Sequence, residues 1–597
     1  MRDPLDYRVR ISPGETALID AATGQSWTFA ALDRSVDRTA ARLGDLGVAS
    51  GDRVAVVLPN RPAYAVTIHA LLRIGATLVP LGERLTPPEL RDRLGRVEPT
   101  AVVCGANTET AVVGATDRPT LSVDEPATDR VTALADADAE AAVPGHEWTP
   151  DGTAALPFTS GTTGTPKPVI LTPTNLLASA GASALRLGLD LDDRWLVTLS
   201  LHHAGGLSPV LRMPLYGSTV VLRRSFDPGP AVDDVDEYGV TCVSLVPTML
   251  RRMLDARGTL PDSLRAVLLG GAPAPPDLIE RCRDYSVPVY PTYGTTETAS
   301  QVATATPTEA FADPGTVGRP LFGTDVRIVD ETGEERPPGE PGELVVTGPT
   351  VSPGYHGASE ATAAAFAPDG FHTGDVGVVD EEGRLRVLGR LDDRIVTGGE
   401  TVDPGEVVSA LREYPSVADA AVVGIPDEEW GERVAALVVS DGESPDRDAL
   451  EAHCRERLAG FKLPRTLGFA DDLPRTASGT VDRGAVRERL EAVAARTEKQ
   501  TDAAGGRTDA DDGGSVDDGG SVDVEGASAG VSEANDADAG GTDRAAAGDV
   551  DGSEGGDEAP ADERSEGADG GDDGNDTGTD DAGDGDGTPG ADDDAAG

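Results

Sequence analysis

The chain holds 597 residues with a formal net charge of −55 at pH 7, a length that suggests several domains of about 150 residues each. That charge opposes binding to nucleic acid or to an anionic membrane surface. Four scattered cysteines, Cys104, Cys242, Cys282 and Cys454, show no CxxC pair and no metal-ligand spacing, so they read as small buried residues in a reducing compartment.

Residues 1–12 lack the apolar core of a signal peptide. No apolar run approaches the roughly 18 residues of a membrane span. A soluble, cytoplasmic protein is therefore expected. Residues 53–58 read as a buried strand, 63–74 as an apolar-faced helix stopped by Gly75, and 76–80 as a second strand. Thr86, followed by Pro87, Pro88 and Glu89, reads as a capped helix start. Residues 154–158, 220–222, 242–246, 266–269 and 288–290 read as further short strands. The alternation predicts an α/β fold in which parallel sheets are covered by helices, over 1–390.

After Pro320 the texture changes to short strands at 326–330 and 342–346 between glycine turns, which predicts a small β-rich subdomain over 320–390. A smaller α+β domain is expected over 391–496. It has helices at 407–411 and 448–458, strands at 420–424 and 434–439, and a last helix from about 483 to 495. From Thr497 the chain is rich in Asp, Gly, Ala and Glu, with the repeat DDGGSV at 511–516 and 517–522. A disordered acidic tail is expected over 497–597, because such a segment buries too little apolar surface to offset ordering entropy. Residues 501–597 carry 31 acidic and three basic side chains, a charge of −28, and the preceding 500 residues carry the other −27. The chain has only three lysines, Lys167, Lys462 and Lys499. An acidic folded part with so little lysine suggests a salt-rich cytoplasm, where screening over a few ångströms makes self-repulsion tolerable. The plainer alternative is an acidic protein from a GC-rich genome.

Three runs carry chemistry. Thr159, Ser160, Gly161, Thr162, Thr163, Gly164 and Thr165 precede Pro166 and Lys167 at the end of an expected strand. Two glycines let backbone N–H groups converge on an anion, the hydroxyls add donors, and Lys167 adds a cation. A polar surface loop is the bland alternative. Tyr293, Gly294, Thr295, Thr296, Glu297 and Thr298 also follow an expected strand. There an aromatic ring can stack on a purine, hydroxyls can bind phosphate, and Glu297 can hold Mg2+ against phosphate oxygens. A β-turn with a capped helix start satisfies the same residues. His372, Thr373, Gly374 and Asp375 put a carboxylate after an expected tight turn, suited to a ribose diol, and Arg390 to Glu400 follow.

In this order, the runs resemble the adenylate-forming (AMP-binding) acyl-CoA synthetase superfamily over about residues 10–490. The resemblance implies a carboxylate–CoA ligase using ATP, Mg2+ and CoA, with a small-molecule carboxylic acid as substrate. It implies that Lys167 and residues 159–165 hold phosphate, that Tyr293 to Thr296 and Gly271 border the nucleotide, and that Asp375 and Arg390 contact the ribose. It matches Asp392 to a hinge, Gly399 to a loop at the pantetheine tunnel, and Lys462 to a site facing the nucleotide of CoA. Residues 199–207 are similar to the acyl-pocket segment, with His203 and Gly206. Residues 293–302, continued by 315–323, most resemble the o-succinylbenzoate–CoA ligase branch of menaquinone synthesis. There Ser300 and Gln301 reach a second carboxylate or keto group. Another aryl-, medium-chain or fatty acyl-CoA synthetase, or a degenerate adenylate-binding protein, stays open as an alternative. One departure matters: Thr480 stands where the superfamily has a catalytic lysine. Arg475, Arg483 and Lys462 are the candidate replacements. Oligomeric state is left open.

Overall fold

The computed structural model describes residues 3–505, apart from 144–145, 160–165, 398–399, 403, 428–429, 441, 443–444 and 477–480. Four sheets organise these residues. In the five-stranded parallel sheet, Thr77–Leu81, Arg53–Val57, Ala101–Cys104, Thr120–Ser122 and Val131–Ala133 lie side by side. Its strands are continuous apolar runs, as a sheet covered on both faces requires. The nine-stranded sheet is built around the parallel strands Thr219–Leu222, Arg194–Val197, Cys242–Leu245, Ala266–Leu269 and Val289–Tyr293.

The helices between the strands begin and end where the sequence signals it. Pro62–Ile74 has proline at its first position and Gly75, at φ 81°, after its last. Pro87–Val97 is capped by Thr86, whose N–H and hydroxyl both donate to Glu89 Oε2 at 2.7 Å. The largest fully buried side chains, among them Leu18, Phe29, Tyr64, Ile68 and Leu71, fill the space between helices and sheets.

The β-rich region holds Asp325–Val329, Gly342–Thr347, Phe366–Ala367 and Gly370–Val379, with Leu385–Arg390 on Gly370–Val379. Beyond it, Gly431–Ser440 pairs antiparallel with Val417–Asp427 and parallel with Thr466–Ala470. The helices Pro404–Arg412 and Arg447–Arg457 contribute Val407, Leu411, Leu450 and Cys454 to the core of this unit.

Three expectations change in detail. Residues 154–158 form isolated bridges, Ala155 with Leu78 and Leu171 and Phe158 with Pro168, because Pro157 has no N–H to continue a ladder. Asp375 sits inside the strand Gly370–Val379 rather than after a turn, beside Gly374 at φ 68°. The last helix is described as far as Gly505, past the expected tail boundary at Thr497, through residues that favour or tolerate helix. Residues 506–597 lie outside the described residues. Among those described, no helix is long and apolar enough to cross a membrane.

Candidate active site

The parallel strands Ala266–Leu269 and Val289–Tyr293 are neighbours, so their carboxyl ends deliver Gly271 and Tyr293 to one edge of the sheet, where open α/β sheets bind ligands. The Tyr293 hydroxyl donates to Asp375 Oδ2 at 2.5 Å. On the next sheet Asp375 is in register with Arg390, whose Nε donates to Asp375 Oδ1 at 2.6 Å. The Arg390 guanidinium also donates to the Thr373 carbonyl at 3.3 Å. Burial and then the Asp375 charge push the Tyr293 hydroxyl well above its usual range, so it stays a donor. Burial opposes the charge of Arg390, and Asp375, Tyr293 and Glu297 outweigh it.

Gly294 turns the chain sharply after Tyr293. A Cβ there would lie 1.7 Å from the Ser300 carbonyl oxygen. The turn Thr296–Thr298 follows, and Thr295 N–H donates to Thr298 Oγ1 at 3.2 Å. Thus 295–298 do form the capped turn of the bland reading, and that turn presents Glu297. Tyr355 donates its hydroxyl to Glu297 Oε1 at 2.8 Å. The Lys167 ammonium lies 5.1 Å from the centroid of the same ring, a cation–π contact. Thr159 N–H donates to the Lys167 carbonyl at 3.0 Å and closes the neck of the loop. Ser160, Gly161, Thr162, Thr163, Gly164 and Thr165 lie outside the described residues. Among the described residues no group of three or more metal-ligating side chains occurs. A divalent ion here would rest on Glu297 Oε2 and on ligand oxygens, a donor set suited to Mg2+.

The residues that the resemblance assigns to an acyl pocket fall into two groups. His203 precedes the helix Ala204–Tyr216, with Gly206 in its first turn. His202 lies beside it at 4.0 Å between ring centroids, with Nδ1 2.5 Å from Ser200 Oγ. Burial lowers both imidazole pKa values, with His203 adding to the effect on His202 and Arg84 to both, so both rings are neutral at pH 7. In the second group, Gln301 is buried and its amide is already engaged. Its Nε2 donates to Thr304 Oγ1 at 2.9 Å, and its Oε1 accepts from Arg212 at 3.3 Å. Ser300 packs its carbonyl on Gly294.

Arg212 and Tyr355 were not singled out from the sequence. Arg212 is only 6 % exposed. Its other partners are the hydroxyls of Ser179 at 2.9 Å and Ser183 at 3.1 Å, and among the described residues no carboxylate pairs with it. One signal was available: Arg212 is the sole charged residue in the apolar stretch 204–216. Tyr355 had only its place after Gly354 to mark it.

The C-terminal candidates separate. Asp392 lies in the short turn Leu391–Asp393, directly after Arg390. Gly399 and Thr480 lie outside the described residues. Lys462 is bound to both Glu406 oxygens, at 2.6 and 2.7 Å. Arg475 donates to Asp419 at 2.8 Å, a carboxylate that also pairs with Arg412. Arg483, which opens the last helix, pairs with Asp393 and feels the charges of Arg390 and Asp375. Of the three candidate cations, Arg483 is thus the one near Tyr293, Asp375 and Arg390.

A cleft at strand ends with a carboxylate–arginine pair, a tyrosine, and a lysine at a glycine-rich loop defines a nucleotide-handling α/β enzyme. Profiles for the AMP-binding enzyme and for the AMP-binding enzyme C-terminal domain match residues 5–356 and 406–480. The chain belongs to the AMP-binding enzyme family. It is 40 % identical over 498 residues to the 2-succinylbenzoate–CoA ligase of Geobacillus kaustophilus, covering 83 % of this chain and 98 % of that one. It is 36 % identical to the 2-succinylbenzoate–CoA ligase of Listeria monocytogenes, covering 82 % and 99 %. Among solved structures it is similar to o-succinylbenzoate CoA synthetase (MenE) from Bacillus subtilis in complex with the acyl-adenylate intermediate OSB-AMP. The TM-score there is 0.74 at 34 % identity, covering 82 % of this chain and 98 % of that one. The same enzyme with ATP and magnesium ion gives 0.74 at 35 %, covering 82 % and 99 %. ATP-bound MatB from Rhodopseudomonas palustris gives 0.75 at 30 %, covering 82 % and 99 %.

The contact at Gly294 yields a test. Gly294→Ala forces the Ser300 carbonyl away and displaces Tyr293 and Glu297 together. The expected cost is about 1–3 kcal/mol of stability, read by denaturant unfolding, with ATP-dependent pyrophosphate exchange lost. A variant with unchanged stability and exchange would show that the turn tolerates the methyl group and that this packing does not position the motif.

Proposed function

We propose that the protein is a cytoplasmic, ATP-dependent carboxylate–CoA ligase whose acid is 2-succinylbenzoate. In the first step a carboxylate oxygen of the acid attacks the α-phosphorus of ATP. The bond to the bridging oxygen of pyrophosphate breaks, and an acyl-adenylate forms. In the second step the CoA sulfur attacks the acyl carbon and AMP leaves. Lys167 and the loop 159–165 hold the phosphates. Tyr293, Asp375 and Arg390 hold the nucleoside, with Gly271 and residues 294–296 beside it. Glu297 would hold Mg2+ against phosphate oxygens, where the ion would neutralise charge on the triphosphate. Residues 1–390 act as the nucleotide-binding domain, and 391–496 as a domain that turns about Asp392 to bring Gly399 and Lys462 to CoA. His203, with Gly206, lines the acyl pocket. The surface charge suits a salt-rich cytoplasm, and assays belong at high KCl.

The observation that carries the choice of acid is Arg212. A buried cation with only neutral partners is costly to maintain. A second carboxylate on the substrate supplies the missing charge, and a fatty acid lacks one. Relatives named for 2-succinylbenzoate support the same choice. The test is a CoA-thioester assay of wild type and Arg212→Gln with 2-succinylbenzoate and with aryl alkanoic acids lacking the second carboxylate. A charged hydrogen bond is worth about 3 kcal/mol at most, so kcat/KM for the diacid should fall by about tenfold to a hundredfold. The monoacids should be unaffected. Equal losses on both classes would remove Arg212 from acid recognition.

Arg483 supplies the positive charge that Thr480 does not bring to the α-phosphate. Its proximity to Arg390 and Asp375 supports this; Arg483, Lys462 and Arg475 are each paired with a carboxylate, so the pairing does not separate them. Arg483→Ala should slow pyrophosphate exchange about a hundredfold. Thioester formation from supplied acyl-adenylate should survive. Undiminished exchange in the variant would rule the assignment out.

A further inference from the structure

A small cavity lies where the helices Pro62–Ile74, Pro173–Leu187 and Ala204–Tyr216 meet. Arg212, Ser179, Ser208 and His69 line it, with Leu176 and Ala299. The four polar side chains are each no more than 9 % exposed. Arg212 makes three hydrogen bonds, to Ser179, Ser183 and Gln301, so two of its five N–H donors are left for another acceptor. Ser179 Oγ accepts from Arg212 at 2.9 Å. Ser208 adds a further hydroxyl to the cavity wall.

His69 completes the wall. One ring nitrogen donates to the Val210 carbonyl, and Nε2 is buried without a partner among the described residues. Burial lowers the His69 pKa to about 4, with Asp3 opposing and Arg73 assisting. The ring is therefore neutral at pH 7, and Nε2 is an acceptor. A water donating to Nε2 can donate its second hydrogen to a neighbouring anion.

The donor set is thus a guanidinium and hydroxyls, with no carboxylate among the described residues. That set repels metal ions and suits an anion. The cavity measures about 30 Å³. About 10–15 Å³ suffices for one water, so a small ion and a water fit, and of an organic anion only a terminal carboxylate can enter. An arginine does not discharge by losing its proton. Its charge, fully removed from bulk water, needs a counter-charge.

We propose that this cavity is a binding site for a small monovalent anion, chloride in salt, held by Arg212 with Ser179 and Ser208. The ion neutralises Arg212 while no acid is bound. Where the reading of Arg212 as the partner of the second carboxylate holds, substrate displaces the ion, so chloride and the diacid compete.

The test uses the full chain. Thermal melts of the wild type at equal potassium concentration should give a Tm several degrees higher in chloride or bromide than in gluconate. The difference should vanish in Arg212→Gln. Crystals grown without substrate in bromide should show an anomalous peak within contact distance of the Arg212 guanidinium. That measurement needs no variant and stands if Arg212→Gln fails to fold. Melts that do not distinguish the anions, with no bromide peak beside Arg212, would overturn the proposal. The competition is read separately. The KM for 2-succinylbenzoate should be several-fold higher in chloride than in gluconate. A bromide peak with an unchanged KM keeps the anion site and refutes the role of Arg212 in acid recognition.

Discussion

One carboxylate ties the architecture together. Asp375 is gripped by Tyr293 from the edge of the nine-stranded sheet and by Arg390 from its own β-rich sheet. Arg390 leads straight into the turn that carries Asp392 and Asp393, and Asp393 holds Arg483 of the last helix. Three parts of the chain, remote in sequence, therefore meet through two ion pairs and one hydroxyl. Charged hydrogen bonds of this kind are short and directional, so they set positions as well as energy. In the proposed mechanism the same atoms receive the ribose, which makes the junction of the folded units and the nucleoside site one place.

The rest of the site is an economy of positive charge. In an acidic chain with three lysines, the candidate basic groups are already matched: Arg390 by Asp375, Arg483 by Asp393, Lys462 by Glu406 and Arg475 by Asp419. Lys167 is set against the ring of Tyr355, whose hydroxyl is turned to Glu297. Arg212, like Arg8, is buried and bonded to neutral oxygens. Arg212 differs in that it lines a cavity, where an anion can meet it. Burial keeps histidines 202 and 203, which the proposed mechanism places at the acyl pocket, neutral.

Much of this was legible in the residues. Alternation of apolar runs with capped helices gave the parallel sheets, because proline, glycine and the Thr86–Glu89 pair act locally. The phosphate-loop lysine, Tyr293, Glu297, Asp375 and Arg390 stood in runs whose residue types already limit the chemistry. What was not legible depends on distant partners. Asp375 belongs to a strand only because Arg390 pairs opposite it. Gln301 is sequestered because Arg212, 89 positions away, takes its carbonyl oxygen. Tyr355 reaches Glu297 across 58 positions, and nothing near either residue announces the contact. Pro157 did carry a local warning, since a residue without an N–H interrupts any ladder it enters.

The central claim is that one carboxylate of a diacid attacks the α-phosphate of ATP while the other stays on Arg212. 2-Succinylbenzoate labelled with oxygen-18 in one carboxyl group at a time tests it directly, with mass analysis of the AMP, and of any inorganic phosphate, formed in the complete CoA reaction. The account predicts one labelled oxygen in AMP from one isotopomer and none from the other. Label in inorganic phosphate, or equal transfer to AMP from both carboxyl groups, would contradict it.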